Sequence, residues 1–252
     1  MTPQALSAIR HAVCAIGWIP MTSDEFYAEP QLDRFEIEGT GFLVTPRNVA
    51  TCAHVIVSLQ RKKRKRGQKA FTRGIQFVYP PASGGGEMST VFRSFERTHL
   101  DARIDIAVLE LDGSPVACFP VRVVSANYVP IVGEAVGLCG YAHGSTLLTR
   151  GKDVYRFGPV VQSGIIAALS PFDRVRAESA ILDLVTGPAA SGSPVFRQET
   201  GEVLGVLVEG QIKGHAAFSI ARLTYRDATT GVLTAGVGTV QMVDVIRSSR
   251  ER

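Results

Sequence analysis

Short apolar runs that stop at glycine, proline, asparagine or aspartate constrain this chain more than any other feature. With 25 Gly and 13 Pro in 252 residues, breaks come too often for a few long helices and suit many short strands. Ala12 to Ile19 is apolar with little charge and reads as a buried strand. Phe35 to Val44 runs into the turn Thr45-Pro46-Arg47-Asn48 and returns as Val49-Ala50-Thr51-Cys52-Ala53-His54, a strand, tight turn and strand. Further strands are predicted at Gly74 to Tyr79, Ile104 to Leu111, Ala135 to Cys139, Val160 to Ala168, Ala180 to Val185, Pro194 to Phe196, Val203 to Val208 and Ala216 to Ile220. Such a series predicts an all-β fold built of barrels rather than an α/β sheet. Pro3 starts a short N-terminal helix, and Met242, Val245 and Ile246 suggest a C-terminal helix over 241–252. A 45% apolar, 20% charged composition excludes intrinsic disorder, and no apolar run approaches a membrane span.

Charge and cysteine usage narrow the function classes. Of 27 basic residues, seven crowd into Arg61 to Lys69, and the other 20 are outnumbered by 23 acidic ones. The body is mildly acidic, so the net charge of +4 does not imply a general affinity for polyanions. The run Arg61 to Arg66 is a solvated loop on the plain reading. On a functional reading it attracts an acidic partner or a nucleic acid by phosphate neutralisation, without interleaved aromatics for base stacking. The four cysteines form no CxxC pair, which argues against a disulfide framework or a zinc site. His99, His143 and His215 lack partners at metal-ligand spacing. The N-terminus has neither a basic n-region nor a cleavage site after its apolar run, so no signal peptide is expected and a cytoplasmic location is.

Three segments carry chemistry together. Ser191 lies in Gly187-Pro188-Ala189-Ala190-Ser191-Gly192-Ser193-Pro194, His54 is read as closing a strand, and Asp105 as opening one. A serine hydroxyl is a weak nucleophile that needs a base within hydrogen-bond reach, and histidine titrates near operating pH. A buried carboxylate then fixes the imidazole tautomer. Small residues around the serine let the backbone approach a substrate carbonyl and present N–H groups to an oxyanion. Singly, each piece is more often structural: a polar loop, a strand-end histidine, a turn aspartate. Cys52, two residues before His54, reads as a buried strand cysteine rather than a nucleophile.

In this combination, Gly39-Thr40-Gly41-Phe42-Leu43-Val44, Ala53-His54-Val55, Asp105-Ile106-Ala107-Val108-Leu109 and Ser191-Gly192-Ser193-Pro194 resemble the trypsin-like, chymotrypsin-fold serine proteases. The flavour is that of bacterial HtrA-like protease domains. The resemblance extends over about residues 12–250 and takes in Gly140-Tyr141 and Ser163 to Leu169. It implies two six-stranded antiparallel β-barrels with the site in the cleft between them. The chain is then one peptidase domain over 1–252: a first barrel at about 12–111, a connector at 112–134, a second barrel at 135–240 and a C-terminal helix. By motif match His54 is general base and acid, Asp105 its orienting partner and Ser191 the nucleophile. The backbone N–H groups of Ala189 and Ser191 form the oxyanion hole. The partner is a protein or peptide substrate, and no cofactor or metal is implied.

Departures from the family pattern carry expectations of their own. Ala189 stands where the family commonly has glycine, and a positive φ there costs on the order of 1 kcal/mol, so a hole collapsed at rest is one expectation. Ala190 replaces the aspartate that pairs with a cleaved N-terminus in zymogens, so no N-terminal trimming is expected. Val185 falls at the floor of the primary pocket, and Val208, Glu209 and Gly210 on the strand that lines it, pointing to small or aliphatic P1 residues. No PDZ module is expected after residue 250. A cytoplasmic protease needs restraint, so a regulatory partner is expected. The rival readings are a latent or silent protease fold acting as a binding module, and a nucleic-acid-associated protein using the basic loop 61–69.

Overall fold

The computed structural model describes residues 2–28, 35–62, 72–79, 89–113, 119–142, 147–150, 153–156, 158–171, 177–184, 186–213, 216–226 and 233–235. Helix α1 (Pro3–Ala12) starts as its sequence dictates: the Thr2 hydroxyl accepts the Ala5 N–H at 3.2 Å and Pro3 occupies the first turn. Strand β1 (Val13–Ile19) is buried at every position. Helix α2 (Ser23–Ala28), which the apolar pattern did not indicate, opens with a capping box. There Thr22 Oγ1 accepts the Glu25 N–H at 3.2 Å and Glu25 Oε2 accepts the Thr22 N–H at 2.8 Å.

Then follow β2 (Glu36–Thr45), β3 (Asn48–Thr51), helix α3 (Ala53–Arg61), β4 (Thr72–Tyr79), β5 (Ser89–Arg93), β6 (Phe95–Asp101) and β7 (Ile106–Leu111). With β1 they make an antiparallel sheet of order β5-β4-β1-β2-β3-β7-β6. The second half supplies β8 (Ala135–Gly140), the hairpin β9 (Leu147–Arg150) and β10 (Asp153–Arg156), β11 (Val160–Ser170), β12 (Ser179–Leu182), β13 (Pro194–Arg197), β14 (Val203–Lys213), β15 (Ala216–Arg226) and β16 (Leu233–Ala235). Its sheet runs β12-β11-β8-β13-β14-β15-β16, and β12 pairs back onto β15. Six strands therefore close into a barrel, with β16 added at its side. The expected all-β fold of two antiparallel barrels is the observed one, with six strands closing the second barrel and seven strands in the first sheet. The C-terminal helix expected over 241–252 and the basic run beyond Lys62 lie outside the described residues. No described helix is long and apolar enough to cross a membrane.

The two sheets share a wall. On β8, β13 and β14, Leu138, Val195, Leu204 and Leu207 point into the second barrel's own core. Cys139, Phe196, Val203 and Val206 join the core of the first sheet. A register shift between Val195 and Phe196 resets the alternation on β14. Strands buried on both faces read as continuous apolar runs, which is why their sequence gives no period of two. The connector crosses this seam: Val121 N–H donates to Leu43 O at 2.9 Å in β2, and Val124 N–H to Val203 O at 2.9 Å in β14. Its far end is tied to β13 by Arg197, which bonds Glu134 at 2.6 Å and stacks on Tyr128, whose hydroxyl also donates to Glu134.

Phe196 is fully buried in the seam. Phe196→Ala should cost about 3–5 kcal/mol in denaturant unfolding, because neither sheet can collapse into the gap alone. A loss near the cost of a surface change would show that the seam is not packed.

Candidate active site

His54 does not close a strand as expected; it is the second residue of α3. Strand β3 stops at Thr51, and buried Ala53, Val55, Ile56 and Leu59 recur at helical spacing, which wins over the apolar strand reading. Cys52 at the N-cap makes no side-chain capping bond. Asp105 supplies it from another element: its carbonyl accepts the Ala53 N–H at 3.2 Å and its Oδ1 the His54 N–H at 2.9 Å. Arg73 of β4 secures the other end, donating to the carbonyls of Leu59, Gln60 and Lys62 at 2.9, 3.1 and 3.3 Å. Lys62 is drawn onto the body by Glu38 and by the Trp18 ring.

Asp105 likewise does not open its strand but ends the turn before β7, with φ of 55°. Aspartate tolerates this left-handed conformation better than most residues. Asp101 braces the turn through Arg103, whose hydrogen bond holds the Asp101 carboxyl below its ordinary range. The Asp105 Oδ2 lies 2.6 Å from His54 Nδ1. A neutral imidazole paired this way carries its proton on Nδ1 and its basic lone pair on Nε2. The carboxylate was expected to be buried, yet its side chain is 30% exposed and that of His54 49%, because the pair caps a helix start that faces outward.

Ser191 sits at a corner made by two consecutive turns. Ala190 N–H donates to Gly187 O at 3.2 Å, closing the first turn around Pro188 and Ala189. Ser193 N–H donates to Ala190 O at 3.0 Å, closing the second around Ser191 and Gly192. Both have a positive φ at the third position, 64° at Ala189 and 90° at Gly192, the feature of type II turns. Proline at the second position of the first turn favours it; alanine at the third opposes it by about 1–2 kcal/mol. Ala189 thus takes the left-handed conformation despite its β-carbon. Ser191 Oγ is directed at Val208 O, 3.4 Å away.

Cys52 links the two halves. Its thiol donates to Leu207 O at 3.0 Å, and the same carbonyl accepts the Gly192 N–H at 2.8 Å, one residue past Ser191. Cys52 Sγ also lies within 4.8 Å of the ligand atoms of His54 and Asp105. Desolvation, reinforced by the Asp105 charge, pushes the Cys52 thiol well up, so it stays protonated at neutral pH and is neither nucleophile nor thiolate ligand there. A cation among these three atoms would have to break the His54–Asp105 bond. Burial also pushes Cys139 up, to about 12.

Of the residues expected to line the pocket, Val208 is half-buried, and Glu209 and Gly210 pair with Ile220 and Ser219 across β14 and β15. Val185 lies outside the described residues. Beside it Thr186 Oγ1 and Ser219 Oγ bond each other at 3.0 Å, and Ser219 donates to Leu184 O at 2.9 Å. No local pattern marks this hydroxyl pair or the hydroxyls of Thr40 and Thr51, whose partners lie 33, 149 and 11 positions away.

The family model for the trypsin-like peptidase domain matches residues 39–206, and the chain belongs to that family. Among solved structures it is similar to a crystal structure of Deg5, with 17% identity, 86% of each chain covered and a TM-score of 0.51. At that identity the likeness shows the fold, a chymotrypsin-like double barrel. No curated protein matches the chain.

The strain at Ala189 is measurable. Ala→Gly inside regular structure costs roughly 0.5–1 kcal/mol. Ala189→Gly should instead leave the melting temperature unchanged or raise it, since relief of the left-handed β-carbon offsets the added chain entropy. A loss of the usual size would show that Ala189 is not strained.

Proposed function

We propose that the chain is a serine endopeptidase acting on protein or peptide substrates through Ser191, His54 and Asp105, with no cofactor. The observation that carries this reading is the 2.6 Å Asp105–His54 bond, with the Ser191 turn tied to the start of α3 because Gly192 N–H and the Cys52 thiol both donate to Leu207 O. His54 Nε2 takes the Ser191 hydroxyl proton as Oγ attacks the scissile carbonyl, and returns it to the leaving amine; water then repeats the sequence on the acyl-enzyme. In this mechanism the Ser191 Oγ must rotate off Val208 O toward the imidazole. Among the described residues, the N–H groups of Ala189 and Ser191 are not spent on backbone acceptors, which leaves them for the oxyanion.

Fluorophosphonate labelling tests the assignment. The wild-type protein should react at Ser191, and Ser191→Ala should not. Ser191→Ala and His54→Ala should each lower turnover by about 10⁴-fold or more, with the double variant little worse, because the three groups act as one unit. Asp105→Asn keeps an acceptor for the helix but reverses the tautomer, and should lower turnover by about 10³–10⁴-fold. Labelling that persists in Ser191→Ala would overturn the nucleophile assignment.

For specificity, the support is the apolar Val185 and the mutually satisfied Thr186–Ser219 pair, neither of which offers a charge to a basic side chain. Cleavage-site profiling should return small or aliphatic residues at P1. A strict preference for Arg or Lys would overturn this pocket.

A further inference from the structure

Thr40 lies within β2 of the first sheet, wholly buried, with every polar atom engaged. Its N–H donates to Ser191 O at 2.9 Å. Its hydroxyl donates to Ala189 O at 2.9 Å and accepts the Tyr141 N–H at 3.0 Å. Its carbonyl accepts the Thr51 hydroxyl at 2.6 Å. Three of these four bonds cross the seam, and two grip the turn that carries Ser191. The surroundings are cut to fit. A β-carbon on Gly192 would come 2.0 Å from Thr40 O, and one on Gly140 would come 1.9 Å from Ser193 Oγ and 3.1 Å from Thr40 Oγ1. Threonine suits the place: a β-branched side chain fits a strand and is stiff about χ1, and its hydroxyl can donate one bond while accepting another.

We infer that Thr40 is the positioning residue of the Ser191 loop: its hydroxyl holds the Ala189 peptide in the left-handed conformation and so aims the Ala189 and Ser191 N–H groups. This deepens, and rests on, the serine peptidase reading. The bond does what a glycine at 189 would leave undone, since glycine lowers the strain without fixing the peptide's direction. A packing role alone would be met equally by the isosteric valine, whereas the positioning role requires the oxygen.

The test compares Thr40→Val and Thr40→Ser with wild type in two measurements. Amide hydrogen exchange over 186–193 should speed up roughly ten-fold in Thr40→Val and stay near wild type in Thr40→Ser. The maximal rate of fluorophosphonate labelling at Ser191 should fall about ten-fold or more in Thr40→Val, with the half-saturating concentration unchanged, and recover in Thr40→Ser. If Thr40→Val does not fold, Thr40→Ala carries the same comparison. Exchange over 186–193 that is the same in Thr40→Val and wild type overturns the inference, as does a Thr40→Ser protein that loses as much as Thr40→Val. A wild-type protein that does not label would sink the peptidase reading instead, and exchange would still judge Thr40.

Discussion

A three-strand wall with both faces apolar joins the sheets, and the contacts between the Ser191 loop and the first sheet depend on it. Leu138, Val195 and Leu207 are buried on one side of it and Phe196, Val203 and Val206 on the other. Backbone polar groups brought to such a seam must find partners across it, since an unpaired buried N–H or C=O costs about 1–3 kcal/mol. That requirement selects what is seen. Thr40 N–H meets Ser191 O, and Gly192 N–H and the Cys52 thiol share Leu207 O. The loops are registered to each other by the need to satisfy these groups, and the positions of Ser191 and α3 follow.

The serine loop balances two small terms. Holding a residue with a β-carbon at φ of 64° costs about 1–2 kcal/mol, and a buried hydrogen bond returns about 0.5–1.5 kcal/mol net. One bond from Thr40 to the Ala189 carbonyl is therefore of the right size to offset the strain but not to swamp it. Buried Ser193 adds a second anchor, donating its hydroxyl to Ala190 O at 2.5 Å. A conformation held at near balance differs from one that glycine permits freely: its population responds to whatever touches Thr40 or the seam.

Much of this was legible from the residues, and the omissions have physical reasons. The continuous runs of β1, β7 and β8 declared buried strands, and Gly-Pro-Ala-Ala followed by Ser-Gly-Ser declared tight turns around Ser191. The strands β5 and β6 escaped because Ser89 to Asp101 is mostly polar and, among its described side chains, only Phe92 is buried. Helix α3 escaped because Val49 to Val57 is nearly continuous in apolar residues, so the change from period two to helical spacing at Ala53 is hidden. Its cap, Asp105, lies 51 positions away. Thr40 is the extreme case: its hydroxyl partners lie 149 and 101 positions off, and Gly39-Thr40-Gly41 read only as part of a family likeness.

The partial exposure of Asp105 and His54 raises the question of what holds them. An exposed ion pair is worth about 0–1 kcal/mol and would let the imidazole wander. The carboxylate here is also held independently of the ring, by the His54 N–H at 2.9 Å and by its own carbonyl on the Ala53 N–H at 3.2 Å. The start of α3 adds the helix dipole, which favours an anion at that end. The same two residues that are bound through their main chains then meet through their side chains at 2.6 Å, so little further entropy is lost in making that bond. Geometry supplied by a helix start thus replaces the burial that would otherwise orient the pair.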